Sequence, residues 1–90
     1  MKAAARTIRA VPDKEADDRV CRAFGLWVRE LRHRRKLTQT DLAQRAGISL
    51  TYVCEIERGR RNPTIAVVVR LAQALGTTPS RLMSRLDPLD

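Results

Sequence analysis

Aromatic residues are scarce in this 90-residue chain: one Phe, one Trp and one Tyr, at positions 24, 27 and 52. The core must therefore come mainly from Leu, Val, Ile and Ala, a composition that favours helices. Cysteine is nearly absent as well. Cys21 and Cys54 stand far apart with no CxxC spacing, so no disulfide framework is expected and a reducing, cytoplasmic compartment fits. His33 is the single histidine. No second His or clustered carboxylate joins it at metal-ligand spacing, so no metal and no cofactor are expected. No Ser/His/Asp, Cys/His or phosphate-cradling Gly-rich arrangement stands out, so no catalytic residue is assigned and an enzyme is not expected. Apolar runs are short, far below the ~20 residues needed to cross a bilayer. The opening MKAAARTIRAVP lacks the continuous apolar stretch of a signal peptide. Negative charge is also short: ten Asp and Glu against eighteen Lys and Arg leave +8.

That excess is the first functional clue, because it selects for a polyanionic partner: nucleic acid, or less often an anionic membrane surface. Fifteen of the basic residues are Arg and three are Lys. Arg suits phosphate forks and guanine edges better than Lys does. A merely solvated, Arg-rich surface is the plainer account of the same numbers. The length allows one small domain whose modest core is often supplemented by oligomerisation.

Residues 1–18 show no strong period and read as an N-terminal arm, basic first and then acidic in the cluster DKEADD. It is either a disordered tail or an arm that packs on a partner subunit through Ile8 and Val11. The folded domain is expected over residues 19–86, and residues 87–90 form a tail.

Five helices are expected. The first runs from about Asp18 to Lys36, with Phe24, Trp27, Val28 and Leu31 on one face. The second starts at the N-cap Thr38, with Asp41 in a capping-box position, buries Leu42, Ala43 and Ala46, and stops at Gly47. Small Ala43 allows a close helix crossing. The third spans Leu50 to Arg58 behind the N-cap Ser49. Val53 and Ile56 face inward, and Leu50, Thr51, Cys54, Glu55 and Arg58 face outward. The fourth follows Thr64, with a stripe of Ile65, Val68, Leu71, Ala72 and Leu75, and ends at Gly76. A strand competes over Val67 to Val69, but the caps and the 3–4 spacing favour a helix. The fifth begins at Thr78-Pro79 and buries Leu82. Met83, Leu86 and Leu89 are left over as candidates for a dimer seam.

Two short helices joined by a Gly-containing turn make a helix-turn-helix pattern. Four segments carry a more specific likeness: VRELR, LTQTDLAQRAGIS, YVCEIERGRRNPT and LAQALG. In that order and spacing, residues 24–83 resemble the Cro and phage-repressor (Xre-type) helix-turn-helix family. The segment TYVCEIERGRRNPT is also similar to controller proteins of restriction–modification systems, although Leu50 stands where those commonly carry Arg.

The resemblance implies an all-α, five-helix, lambda-repressor-like domain with an N-terminal arm. It also implies a homodimeric transcriptional regulator on double-stranded DNA, cytoplasmic and nucleoid-associated when bound. Carried over by position, Leu50, Thr51, Tyr52 and Glu55 read bases. Gln39, Ser49, Arg58, Arg60, Arg61 and Asn62 meet phosphates. Arg32 and Glu57 form a partly buried structural ion pair. Glu55 has a plainer role open to it, facing solvent or pairing with Arg58, and Tyr52 has one in packing. Cys54 is either a small filler or a redox-sensitive group. Two other functions compete: an antitoxin-like protein-interaction module that autoregulates, and charge-driven nonspecific binding of nucleic acid.

Overall fold

The computed structural model describes residues 12–86. Over them the chain forms five α-helices and no strand: α1 Lys14–Arg34, α2 Gln39–Ala46, α3 Leu50–Glu57, α4 Ile65–Ala74 and α5 Pro79–Met83, closed by a 3-10 turn Ser84–Leu86. The all-α, five-helix architecture is the one expected. Each of α2 to α5 starts where a hydroxyl can cap it. Thr38, Ser49, Thr64 and Thr78 accept hydrogen bonds from the backbone N–H three residues on.

The first helix departs from expectation. It begins at Lys14 rather than near Asp18, so the acidic cluster assigned to the arm forms its opening turns. Asp13 is the cap, its Oδ1 accepting from the Ala16 N–H at 3.1 Å. Lys14 pairs with Asp18 one turn on, at 3.0 Å. These turns are largely exposed, and an exposed helix carries no apolar period to reveal it. Residues 1–11 and 87–90, and with them Ile8, Val11 and Leu89, lie outside the described residues.

The core gathers Phe24, Trp27 and Val28 of α1, Leu42, Ala43 and Ala46 of α2, and Val53 and Ile56 of α3. Val67, Val68, Leu71, Ala72 and the following Leu75 come from α4, and Leu82 from α5. One member of the expected stripe is misplaced. Ile65 is 84% exposed. At 3.6 residues per turn it sits about 120° round the helix from Leu71, and Val67 takes the inward position instead. Leu86, expected as spare, packs against the core as a half-buried residue. Met83 remains exposed.

Two features hold α3 against α1. The first is a missing side chain. A Cβ on Gly25 would lie 2.2 Å from the Ile56 carbonyl oxygen and 2.8 Å from that of Glu57, so the helices touch backbone to backbone there. The second is charged. Arg32 donates from Nε to Glu57 Oε2 at 2.7 Å and from Nη2 to Oε1 at 3.0 Å. Its Nη1 donates to the Leu37 carbonyl at 2.9 Å, and Gln39 Nε2 adds a third bond to the Glu57 carboxylate at 3.0 Å. Both charged residues are buried, each 7% exposed. The hydrogen bond with Glu57 holds the Arg32 guanidinium above its ordinary range, against the opposing effect of burial.

At the far end, Trp27 anchors the last helix. Its Nε1 donates to the Arg81 carbonyl at 3.1 Å. The Arg85 guanidinium lies 3.9 Å over the ring and Arg34 lies 5.4 Å from it, both within cation–π range.

Three outcomes are predicted. Gly25→Ala gains about 1 kcal/mol of helix propensity but forces a methyl into backbone, so urea denaturation should show a net loss of about 2 kcal/mol or more. Glu57→Ala strands a buried guanidinium and should lose about 3–5 kcal/mol, whereas the paired change Arg32→Met with Glu57→Leu should recover much of that. Asp41 closes the capping box of α2, its Oδ2 accepting from the Thr38 N–H at 2.9 Å, and that bond holds its carboxyl below the ordinary value of 3.8. A depressed carboxyl stabilises the fold above its unfolded pKa and loses that contribution as pH falls through the folded one. Asp41→Asn should therefore lower the urea midpoint at about pH 7 and shrink the further drop that the wild type shows at about pH 3.

Candidate nucleic-acid interface

α2 and α3 are joined by a tight turn at Gly47, which adopts φ 69° as the left-handed C-cap of α2. Ser49 then caps α3, its Oγ accepting from the Tyr52 N–H at 3.0 Å. Val53, Ile56 and Glu57 tie the inner face of α3 to the core and to Arg32. What remains outside is therefore fixed in direction. Leu50 and Thr51 are exposed at the start of the helix, and Glu55 is half-exposed one turn on. Tyr52 is half-buried and packs against the core.

Around this face lies a cationic loop. Arg58, Arg60, Arg61 and Asn62 are all exposed. Gly59, at φ 76°, turns the chain here. A Cβ on it would sit 2.7 Å from the Cα of Arg22, so the loop rests directly on α1. An open groove of about 510 Å³ runs between them, lined by Asp17, Asp18 and Arg22 from α1 and by Arg58, Arg60 and Arg61 from the loop. The acidic start of α1 thus borders the cations.

Several side chains stand differently from their sequence reading. Gln39 turns its amide inward. Besides donating to Glu57, it accepts from Cys54 Sγ at 3.2 Å. Cys54, Gln39, Glu57 and Arg32 thus form one chain of hydrogen bonds under α3, and the Cys54 thiol is a donor in it rather than only a filler. Glu55 pairs not with Arg58 but with Arg61, whose Nε donates to Glu55 Oε1 at 2.9 Å. The Arg61 guanidinium also lies 5.0 Å from the centre of the Tyr52 ring. A separation of six residues is not a helix-neighbour spacing, so nothing in the sequence pattern announces this contact. Gly25 and Trp27 also have parts that composition and period do not reveal.

Elsewhere, Val20 and Leu26 on α1 are 48% and 62% exposed and Met83 is 41% exposed. Val20, Phe24, Val68, Met83 and Leu86 line a small apolar groove of about 90 Å³. Among the described residues, no group of three or more His, Cys, Asp or Glu is placed to hold a metal ion. No helix among them is long and apolar enough to cross a membrane.

Comparison with known proteins agrees with this geometry. A family model described as a helix-turn-helix domain matches residues 23–84. The chain is 44% identical over 57 residues to an uncharacterised HTH-type transcriptional regulator, y4dJ, of Sinorhizobium fredii, covering 63% of this chain and 74% of that one. It is 39% identical over 59 residues to the immunity repressor protein of Bacillus phage phi105, covering 66% of this chain and 41% of the repressor. Among solved structures, the restriction-modification controller protein C.AhdI from Aeromonas hydrophila superposes with a TM-score of 0.68 at 39% identity, over 69% of this chain and 94% of that one. With α2, the Gly47 turn and α3 forming the motif itself, the chain belongs to the helix-turn-helix family of transcriptional regulators, the Cro and phage-repressor type that its segments resemble.

Proposed function

We propose that the chain is a sequence-specific transcriptional regulator that acts in the cytoplasm as a homodimer on an inverted-repeat operator. The observation that carries this reading is the division of α3 into two faces. One is locked by Val53, Ile56 and the Glu57–Arg32 pair, and the other presents Leu50 and Thr51 to solvent beside Arg58 and Arg60, which make no ion pair among the described residues. A helix held on one side and bare on the other fits the major groove, which admits an α-helix. Leu50 contacts a thymine methyl and Thr51 a base edge. Arg58, Arg60 and Asn62 approach phosphates, which set register without specifying sequence. Gln39 meets the backbone through the N-terminus of α2, since its side-chain amide is engaged with Glu57 and Cys54. Ser49 stands at the equivalent place on α3.

Two copies joined along α1 and the C-terminal turn would bring two recognition helices into successive major grooves ~34 Å apart. The exposure of Val20 and Met83 beside the apolar groove supports that seam, with Leu86 at its edge and Leu89 beyond the described residues.

Selection of bound duplexes from random DNA tests the reading. The expected product is a pair of inverted half-sites about one helical turn apart. Thr51→Ala should relax the preference at one base pair per half-site, worth about 1–3 kcal/mol. Arg60→Ala should instead weaken every sequence alike and flatten the slope of log K against log salt by about 0.9. Binding that enriches no sequence over random duplex would overturn the proposal.

A further inference from the structure

The cations of the loop after α3 are not equivalent. Arg58 and Arg60 make no ion pair among the described residues, whereas Arg61 folds back onto α3 and is held from two sides. Its Nε donates to Glu55 Oε1 at 2.9 Å. Its guanidinium lies 5.0 Å from the centroid of the Tyr52 ring, within the ~6 Å of a cation–π contact. Tyr52 and Glu55 are three residues apart on α3, so they are neighbours along one side of the helix. Arg61 therefore lies across the helix and not out toward its flank.

We propose that Arg61 is a base-reading residue, specific for guanine, and that Glu55 is the positioning residue that aims it. The inference rests on the DNA-binding reading above and refines which residues of that surface read sequence. Three physical points support it. A guanidinium has a fork of five N–H donors. Glu55 engages only Nε, leaving the Nη1 and Nη2 edge without a partner among the described residues. That edge is the one that matches the O6 and N7 acceptors of guanine in a bidentate pair.

Next, the two contacts hold a long side chain in place before DNA arrives. Ordering a rotamer-rich side chain on binding is otherwise a cost set against affinity. A phosphate anchor needs no such aiming, because phosphates carry no sequence information. Lastly, the Glu55 carboxylate is already occupied. Accepting from cytosine N4 would require it to give up Arg61 and face a polyanion as a bare negative charge. Paired with Arg61, it approaches the groove with its charge offset.

The test uses all 90 residues. Wild type, Arg61→Ala, Arg61→Lys, Glu55→Gln and Glu55→Ala are each taken through selection from random duplex DNA. Competition binding then follows on the selected operator and its single-base variants. Circular dichroism melts serve as the control for folding, and all four variants should keep the wild-type curve because the pair lies at the surface, its side chains 54% and 39% exposed, outside the core. Wild type should prefer guanine at one base pair of each half-site by about 5- to 150-fold, the range of a good bidentate contact. Arg61→Ala should erase that preference at that base pair and leave the others. Arg61→Lys should keep part of the affinity but little of the preference. Glu55→Gln keeps an acceptor for Nε and should retain most of it, whereas Glu55→Ala should cut it several-fold at the same base pair.

A wild type that enriches no sequence overturns the DNA reading and this inference together. A wild type that does enrich an operator, with Arg61→Ala weakening all variants equally and lowering the salt slope, makes Arg61 a phosphate anchor and overturns the inference alone. Loss of a preference at a different base pair in Glu55→Ala makes Glu55 a reader in its own right and also overturns it.

Discussion

A bidentate ion pair buried between the first and third helices fixes the geometry on which the rest of the molecule depends. Arg32 and Glu57 lie far apart in sequence and are both nearly inaccessible to water. Burying two charges is expensive, and a pair of well-packed apolar residues would often stabilise as much or more. Its value here is directional. Two parallel hydrogen bonds, a third from Gln39 and a carbonyl at Leu37 leave the carboxylate and guanidinium one way to sit. Since Glu57 is the last residue of α3 and Gln39 the first of α2, the same cluster sets the angle of the two helices to each other and to α1. Gly25 makes that setting close, bringing the backbone of α1 against the end of α3. The outer face of α3 inherits its orientation from these contacts.

The electrostatics follow the same division. Although the chain as a whole carries +8, the acidic groups are not scattered evenly. Glu57 is spent inside, Glu55 is tied to Arg61, and Asp17 and Asp18 border the groove beside the loop. Arg58 and Arg60 beside α3 make no ion pair among the described residues, and Arg22 lines the groove next to them. The field of such cations raises the rate of encounter with a polyanion and the sensitivity to salt. Charge of this kind does not by itself discriminate between sequences.

How much of this was legible in the sequence depends on the range of the signal. Caps and helix stops are local, and Thr38, Ser49, Thr64, Thr78, Gly47 and Gly76 could be read residue by residue. The core period was legible where a helix buries a face along its length. It failed at the ends: Ile65 belonged to the repeat by count but lies off the buried arc, and the exposed opening of α1 offered no period at all. Interactions between side chains distant along the chain were legible only through resemblance, as with Arg32 and Glu57, or not at all. The close approach at Gly25, the placement of Arg61 on Glu55 and Tyr52, and the inward turn of Gln39 all depend on how elements cross. Glycine within a helical period was the one available hint of the first.

The indole of Trp27 gives the fold a closing point. α5 has five residues, too few to persist as a helix without support. Its attachment is a bond from Trp27 Nε1 to a carbonyl 54 residues later, with Arg85 stacked on the ring. The first and last helices thus meet on one side chain. A contact of that sequence separation closes a long loop, whose entropic cost grows only slowly with its length. Loss of the clasp would remove the indole's hold on the C-terminal turn, the part of the domain that borders its apolar groove.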